Sequence, residues 1–124
     1  MLEPSTFVLG LDFGTTNSVA AVARGGQSEL VPILGPSASD PVFRSALCFW
    51  EDAERIAVEA GPWAVAEYLE FPEGSRFIQS FKTVAASPSF EHATIFERRY
   101  RFEDLGRLFL DKMSARSNLS LIHI

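Results

Sequence analysis

A nucleotide phosphate is held by converging N–H donors, and Gly10-Leu11-Asp12-Phe13-Gly14-Thr15-Thr16-Asn17-Ser18 could supply them. The stretch follows the apolar run Phe7-Val8-Leu9 and precedes Val19-Ala20-Ala21-Val22-Ala23. A tight turn between two strands leaves backbone N–H groups unpaired and converging, and threonine hydroxyls add donors of the same kind. Asp12 closes the first strand. A carboxylate beside buried strand residues is costly unless it is paired, hydrated or near a cation. Phosphates plus a carboxylate point to magnesium and a nucleotide, because magnesium keeps its waters and is shared by carboxylates and substrate phosphates. The plainer reading makes Asp12 a turn residue that caps local amides.

The elements that position this loop read as follows. Phe7 to Asp12 is a short, apolar, buried strand bounded by glycine. Ser18 to Arg24 is the next, and Gly25-Gly26 is a hairpin signal. Ser28 to Leu34 completes an antiparallel meander of three strands. Gly35 to Pro41 is a loop by composition, and Ser45 to Trp50 is a fourth strand. Val58 to Leu69 reads as a helix with Gly61-Pro62 near its start, since an interior proline would break it. Phe77 to Ala86 fits either a strand end or a short helix. Ala93 to Phe96 and Tyr100 to Phe102 suit a second small hairpin. Leu105, Leu108, Phe109 and Met113 follow helical spacing and read as core, with Glu103-Asp104 at the positive end of that helix.

The setting excludes two common phosphate motifs. G-x-x-x-x-G-K-[ST] does not occur, and G-x-G-x-x-G before a helix does not occur either. The turn here joins strand to strand.

The totals narrow the classes further. The 124 residues, 47% hydrophobic and 22% charged, fit one globular domain or part of a larger one. A formal net charge of -5 without a basic patch argues against nucleic acid as a partner. Arg98-Arg99 and Arg101 are flanked by Glu97, Glu103 and Asp104 and read as a solvated surface. The single cysteine, Cys48, lies in an apolar run and reads as buried and inert. No apolar stretch approaches the ~20 residues of a membrane span, and the start, with Glu3 and no basic residue, is unlike a secretory signal. A cytoplasmic protein without membrane contact is expected. His92 and His123 have no metal-ligand spacing. Lys82, taken alone, is an ordinary exposed lysine.

Gly10 to Ser18 resembles the first phosphate loop of the heat shock protein 70 family, the DnaK-like chaperones. These belong to the actin-like ATPase superfamily, which also contains sugar kinases and shares the D-x-G-T-T core; Asn17-Ser18 is closer to the chaperone branch. Downstream, Phe43-Arg44-Ser45-Ala46-Leu47-Cys48-Phe49 is similar to T-P-S-x-V-x-F, with Arg44 where proline is usual. Ile56-Ala57-Val58-Glu59-Ala60 is similar to the short strand that leads into the next helix. Phe81-Lys82-Thr83-Val84 resembles the family's lysine segment, with Ala85-Ala86 in place of its glycine region. Tyr100-Arg101-Phe102-Glu103-Asp104-Leu105 resembles the P-E-E helix start without its proline. The resemblance runs from about residue 6 to about residue 115. Its weak middle is similar to a divergent branch such as the YegD-like bacterial proteins.

The resemblance implies an α/β fold (an α+β mixed sheet): the first subdomain of an actin-like, ribonuclease H-like ATPase, an antiparallel β-meander plus helices. It implies ATP or ADP with magnesium as ligands. Asp12 would face the magnesium through water. Gly14, Thr15, Thr16 and Asn17 would donate to the β- and γ-phosphates, and Lys82 would position or polarise the attacking water. Those are the parts phosphoryl transfer requires. The family's second phosphate loop, D-x-G-G-G-T, and its substrate-binding β-domain have no counterpart here. Residues 1–117 are therefore expected to be an incomplete portion of the nucleotide-binding domain, with 118–124 a tail foreign to it or cut short. Client polypeptides and co-chaperones would bind through regions outside this chain. Half a cleft leaves phosphates in water, where each contact is weak, so these residues alone are expected neither to hydrolyse ATP nor to bind it tightly. Two alternatives stand beside the chaperone: a sugar or metabolite kinase of the same superfamily, and a non-hydrolysing nucleotide-dependent interaction module.

Overall fold

The computed structural model describes residues 6–81 and 92–118. They form an α/β fold of antiparallel strands and two helices, as the sequence predicts. Strands β1 (Val8–Phe13) and β2 (Asn17–Arg24) pair along their whole length, with Leu11 opposite Ala20 and Phe13 opposite Ser18. Gly25 and Gly26, both at positive φ (57° and 80°), turn the chain into β3 (Gln27–Leu30). Such a turn matches the twist of the strands it joins and favours glycine.

The meander forms, but its third strand is shorter than predicted. Beyond Leu30 one more bond to β2 forms, from the Val31 N–H to the Ala20 carbonyl at 2.8 Å, and the Pro32 carbonyl then turns to the Asn118 N–H at 2.9 Å. Ile33 and Leu34 instead form β4 (Ile33–Leu34), paired with β5 (Ser39–Asp40) inside the segment expected to be only loop. Strand β6 (Val42–Arg44) then returns to β2 and pairs with Asn17 to Val19, the end of β2 that β3 leaves free.

A second sheet, in the order β8-β7-β9, holds the centre of the core. It comprises β7 (Ala46–Asp52), β8 (Arg55–Ala60) and β9 (Ser75–Gln79). Ala46, Leu47, Cys48 and Phe49 are all buried, as a central strand covered on both faces requires. Cys48 is buried as expected; burial pushes its thiol above the ordinary range, Ser75 offsets this by hydrogen bonding, and the Glu67 charge adds to it.

The predicted helix from Val58 begins later. Val58 to Ala60 are claimed by β8, opposite Leu47 to Phe49, and α1 (Gly61–Glu70) starts with proline in its first turn. Gly61 stands at φ 62°, and a Cβ there would collide with the Phe43 ring, so backbone conformation and packing both demand glycine. Strands β10 (Ala93–Ile95) and β11 (Arg98–Tyr100) form the expected small hairpin. Helix α2 (Phe102–Arg116) buries Leu105, Phe109 and Met113, and Asp104 accepts the Arg101 N–H at its start. It is tied to the second sheet and α1 by Glu59, which meets Arg116 at 3.2 Å and Lys112 at 3.8 Å, while Arg116 lies over the Trp63 ring.

One expectation is overturned. The strand before the loop is not buried: Val8, Gly10, Leu11 and Asp12 are exposed, and Leu9 is 67% exposed. Only Phe13, at its end, reaches the core. There its ring stacks on Phe109 at 5.4 Å and meets Phe81 at 5.6 Å, and Phe43 and Phe81 also pack on Phe109. No helix among the described residues is long and apolar enough to cross a membrane.

Candidate phosphate-binding loop

The loop between β1 and β2 is a tight turn closed by its own backbone. Gly14 donates its N–H to the Asn17 carbonyl at 3.1 Å. A Cβ on Gly14 would collide with that carbonyl oxygen, so glycine is needed here for space. The turn does not stand alone. Ser45, at the junction of β6 and β7, donates its N–H to the Thr16 carbonyl at 2.8 Å and its hydroxyl to the Gly14 carbonyl at 2.8 Å. The Ser45 and Ser18 hydroxyls lie 2.9 Å apart, and both residues are fully buried. The Ser45 carbonyl in turn accepts the Ser80 N–H at 3.2 Å.

The consequence is an asymmetry of donors and acceptors. The carbonyls of Gly14 and Thr16 are held by Ser45, and that of Asn17 by the Gly14 N–H within the turn. Among the described residues, no hydrogen bond uses the N–H of Thr15 or Thr16, and both residues are exposed. A turn whose acceptors are already engaged and whose exposed residues keep unused amide donors favours an anion. The inward side chains that create it are hydroxyls at the base of an otherwise apolar strand. Buried hydroxyls are costly unless bonded, and here each is bonded.

The residues expected at the site divide accordingly. Thr15, Thr16 and Asn17 come together on the exposed turn. Gly14 shapes the turn, and its N–H is bonded to the Asn17 carbonyl within it. Asp12 is exposed on β1, which removes the burial argument for a compensating cation. Its carboxylate still lies two residues before the turn. A lone carboxylate with neighbouring phosphate oxygens fits magnesium, which takes one or two protein carboxylates and keeps its waters. Among the described residues no group of three or more His, Cys, Asp or Glu side chains could hold a metal without phosphate. Lys82 lies outside the described residues, as does Ala85-Ala86. Its neighbour Phe81 is buried against Phe13, the last residue before the turn.

Ser45 and Ser18 were assigned no role from sequence. Both lie in the segments that carry the resemblance. The available signal is a serine at the start of the apolar run Ala46 to Phe49, where a buried hydroxyl needs a partner. The side chain of Arg44, the departure from the usual proline, reaches across to Gln79 at 3.0 Å, while its backbone stands opposite Asn17 in the β2–β6 pairing.

The chain is similar to two curated proteins over 76 residues. It is 32% identical to the "Chaperone protein DnaK" of Elusimicrobium minutum (strain Pei191), over 60% of this chain and 12% of that one. It is 34% identical to the "Chaperone protein DnaK" of Endomicrobium trichonymphae, over 60% of this chain and 11% of that one. The match thus spans about a tenth of the length of these relatives. No protein-family model matches the chain.

Proposed function

We propose that this chain supplies one wall of a nucleotide-binding cleft in a DnaK-like ATPase, with the β1–β2 turn as its phosphate cradle. The observation that supports this reading is the pinned turn: three carbonyls engaged by Ser45 and Gly14, and amides at the exposed Thr15 and Thr16 that no hydrogen bond among the described residues uses. The similarity to two DnaK chaperones supports the choice of ligand and family.

Each residue has a physical task. The Thr15 and Thr16 amides and hydroxyls donate to the terminal phosphate oxygens of ATP. Asn17 adds a side-chain amide at the mouth of β2. Asp12 holds a hydrated magnesium ion, which neutralises phosphate charge when bound. Lys82 orients the attacking water. Phosphoryl transfer depends on positioning and charge stabilisation, so a rigid turn matters more than a reactive side chain. The opposite wall, with the second phosphate loop, would come from a longer polypeptide that also carries client binding.

Amide chemical shifts of the 15N-labelled chain, followed while magnesium-ATP is added, test this. Thr15, Thr16 and Asn17 are expected to shift together with millimolar affinity. Shifts spread over the surface, with these three unmoved, would remove the cradle. In a polypeptide carrying both walls, Lys82→Ala is expected to lower turnover at least a hundredfold, the scale of one general-base contribution. Unchanged turnover would take Lys82 out of the mechanism.

A further inference from the structure

The hydrogen bonds that fix the phosphate turn join three segments distant in sequence, and each segment carries a phenylalanine beside its bonding residue. Phe13 precedes Gly14, and Phe43 lies two residues before Ser45. Phe81 follows Ser80, whose N–H reaches the Ser45 carbonyl at 3.2 Å. All three rings meet one residue, Phe109 of α2. Phe13 stacks on it, with centroids 5.4 Å apart and planes 13° apart. Phe43 meets it at 5.6 Å and 57°, and Phe81 at 5.7 Å and 62°. Phe43, Phe81 and Phe109 are all buried, and Phe13 is half-buried. Helix α2 carries none of the residues expected at the site.

We propose that Phe109 is a positioning residue for the phosphate turn: its ring sets where the Phe13, Phe43 and Phe81 segments stand relative to one another. The inference rests on the nucleotide reading for what the turn binds, while the packing argument stands without it. Burial alone does not require this convergence, because the hydrophobic effect has no direction and another apolar side chain would satisfy it. Aromatic rings carry a negative face and a positive edge, so their contacts fix orientation as well as separation. Phe109 is nearly parallel to Phe13 and steeply inclined to Phe43 and Phe81, an arrangement that a leucine has no faces to reproduce. A close-packed interior has low compressibility and transmits strain. Displacement at Phe109 therefore reaches Gly14 through the adjacent Phe13. It reaches Ser45, which holds the Gly14 and Thr16 carbonyls, through Phe43. The α2 seat is itself held by Glu59, through Arg116 at 3.2 Å and Lys112 at 3.8 Å. The account separates Phe109 from Leu105, which is buried one turn earlier in the same helix and belongs to none of these ring contacts.

Amide hydrogen exchange of the 15N-labelled full chain, comparing Phe109→Leu with Leu105→Val, tests this. Both substitutions thin the core and lower global stability, which speeds exchange everywhere. The informative quantity is the exchange of the Gly14 and Ser45 amides relative to those of the central strand β7. Phe109→Leu is expected to raise that ratio about fivefold or more, the mark of local opening, and Leu105→Val to leave it at the wild-type value. If Phe109→Leu does not fold, Phe81→Leu removes one contact and keeps the hub; it is expected to raise the ratio about twofold. With magnesium-ATP, read at the Thr15 and Thr16 amides, Phe109→Leu is expected to weaken binding about threefold or more, and Leu105→Val not at all. Exchange that rises in proportion at every amide in Phe109→Leu, or in Phe81→Leu where that variant stands in, would overturn the proposal. So would an equal selective rise in Leu105→Val. A wild-type chain whose Thr15 and Thr16 amides ignore magnesium-ATP would remove the nucleotide reading, and the exchange ratio would still decide whether Phe109 holds the turn.

Discussion

Two tight turns leave β2, one at each end, and they are held in different ways. At Gly25-Gly26 both residues adopt positive φ, and a Cβ on Gly26 would meet nothing within 4 Å. That turn is a local matter of backbone conformation. At Gly14 to Asn17 the glycine is needed for room against the Asn17 carbonyl, and the turn is fixed by Ser45, 31 residues from the Gly14 carbonyl it holds. A turn that only reverses the chain needs permissive residues. A turn that must present donors needs its acceptors removed, and only tertiary structure removes them.

Substitutions can break or sharpen that contrast. Gly14→Ala should be the most damaging, about 3 kcal/mol in chemical denaturation, because the new methyl meets backbone that cannot rotate away. A cost under ~1 kcal/mol, the scale of an ordinary surface change, would show that the turn yields. Ser45→Ala should cost about 2 kcal/mol, since it leaves the Ser18 hydroxyl and the Gly14 carbonyl buried without their partner. Ser18→Ala combined with Ser45→Ala should cost less than the two single losses added, the mark of a shared bond in a double-mutant cycle. Gly26→Ala should cost about 1 kcal/mol, from left-handed backbone strain alone. The smallest effect has the opposite sign. Phe96 and Glu97 occupy positive φ (50° and 68°) in the β10–β11 turn, so Glu97→Gly should stabilise by about 0.5 kcal/mol, net of the entropy glycine adds to the unfolded chain. Thermal melts of that variant should shift upward.

The same contrast marks how far the sequence could be read. The Gly25-Gly26 turn, the β10–β11 hairpin and the apolar stripe Leu105, Phe109 and Met113 are legible because local rules decide them: turn chemistry and helical spacing. Val58 to Ala60 were assigned to the helix because Gly61-Pro62 allows a start nearby. Pairing with Leu47 to Phe49 in β7, which is long-range, placed them in a strand. Pro32 carried the signal that would have ended β3 early, since proline seldom continues within a strand. The apolar composition of β1 suggests burial, but composition does not say what covers the faces of a strand, and Val8 to Asp12 are exposed. At the site, the exposed Thr15 to Asn17 turn was legible as a motif. Ser45 was not, since its role is defined by the Gly14 and Thr16 carbonyls it reaches in space.

Magnesium-ATP titration of the wild-type chain, Ser45→Ala and Gly26→Ala, read at the Thr15 and Thr16 amides, tests the central claim most directly. If Ser45 aims those amides at phosphate, Ser45→Ala weakens binding at least fivefold while remaining folded, about 1 kcal/mol of lost positioning. Gly26→Ala, at the other end of β2, binds as the wild type does. Equal affinities for all three chains, or a loss in Gly26→Ala as large as that in Ser45→Ala, would contradict the account.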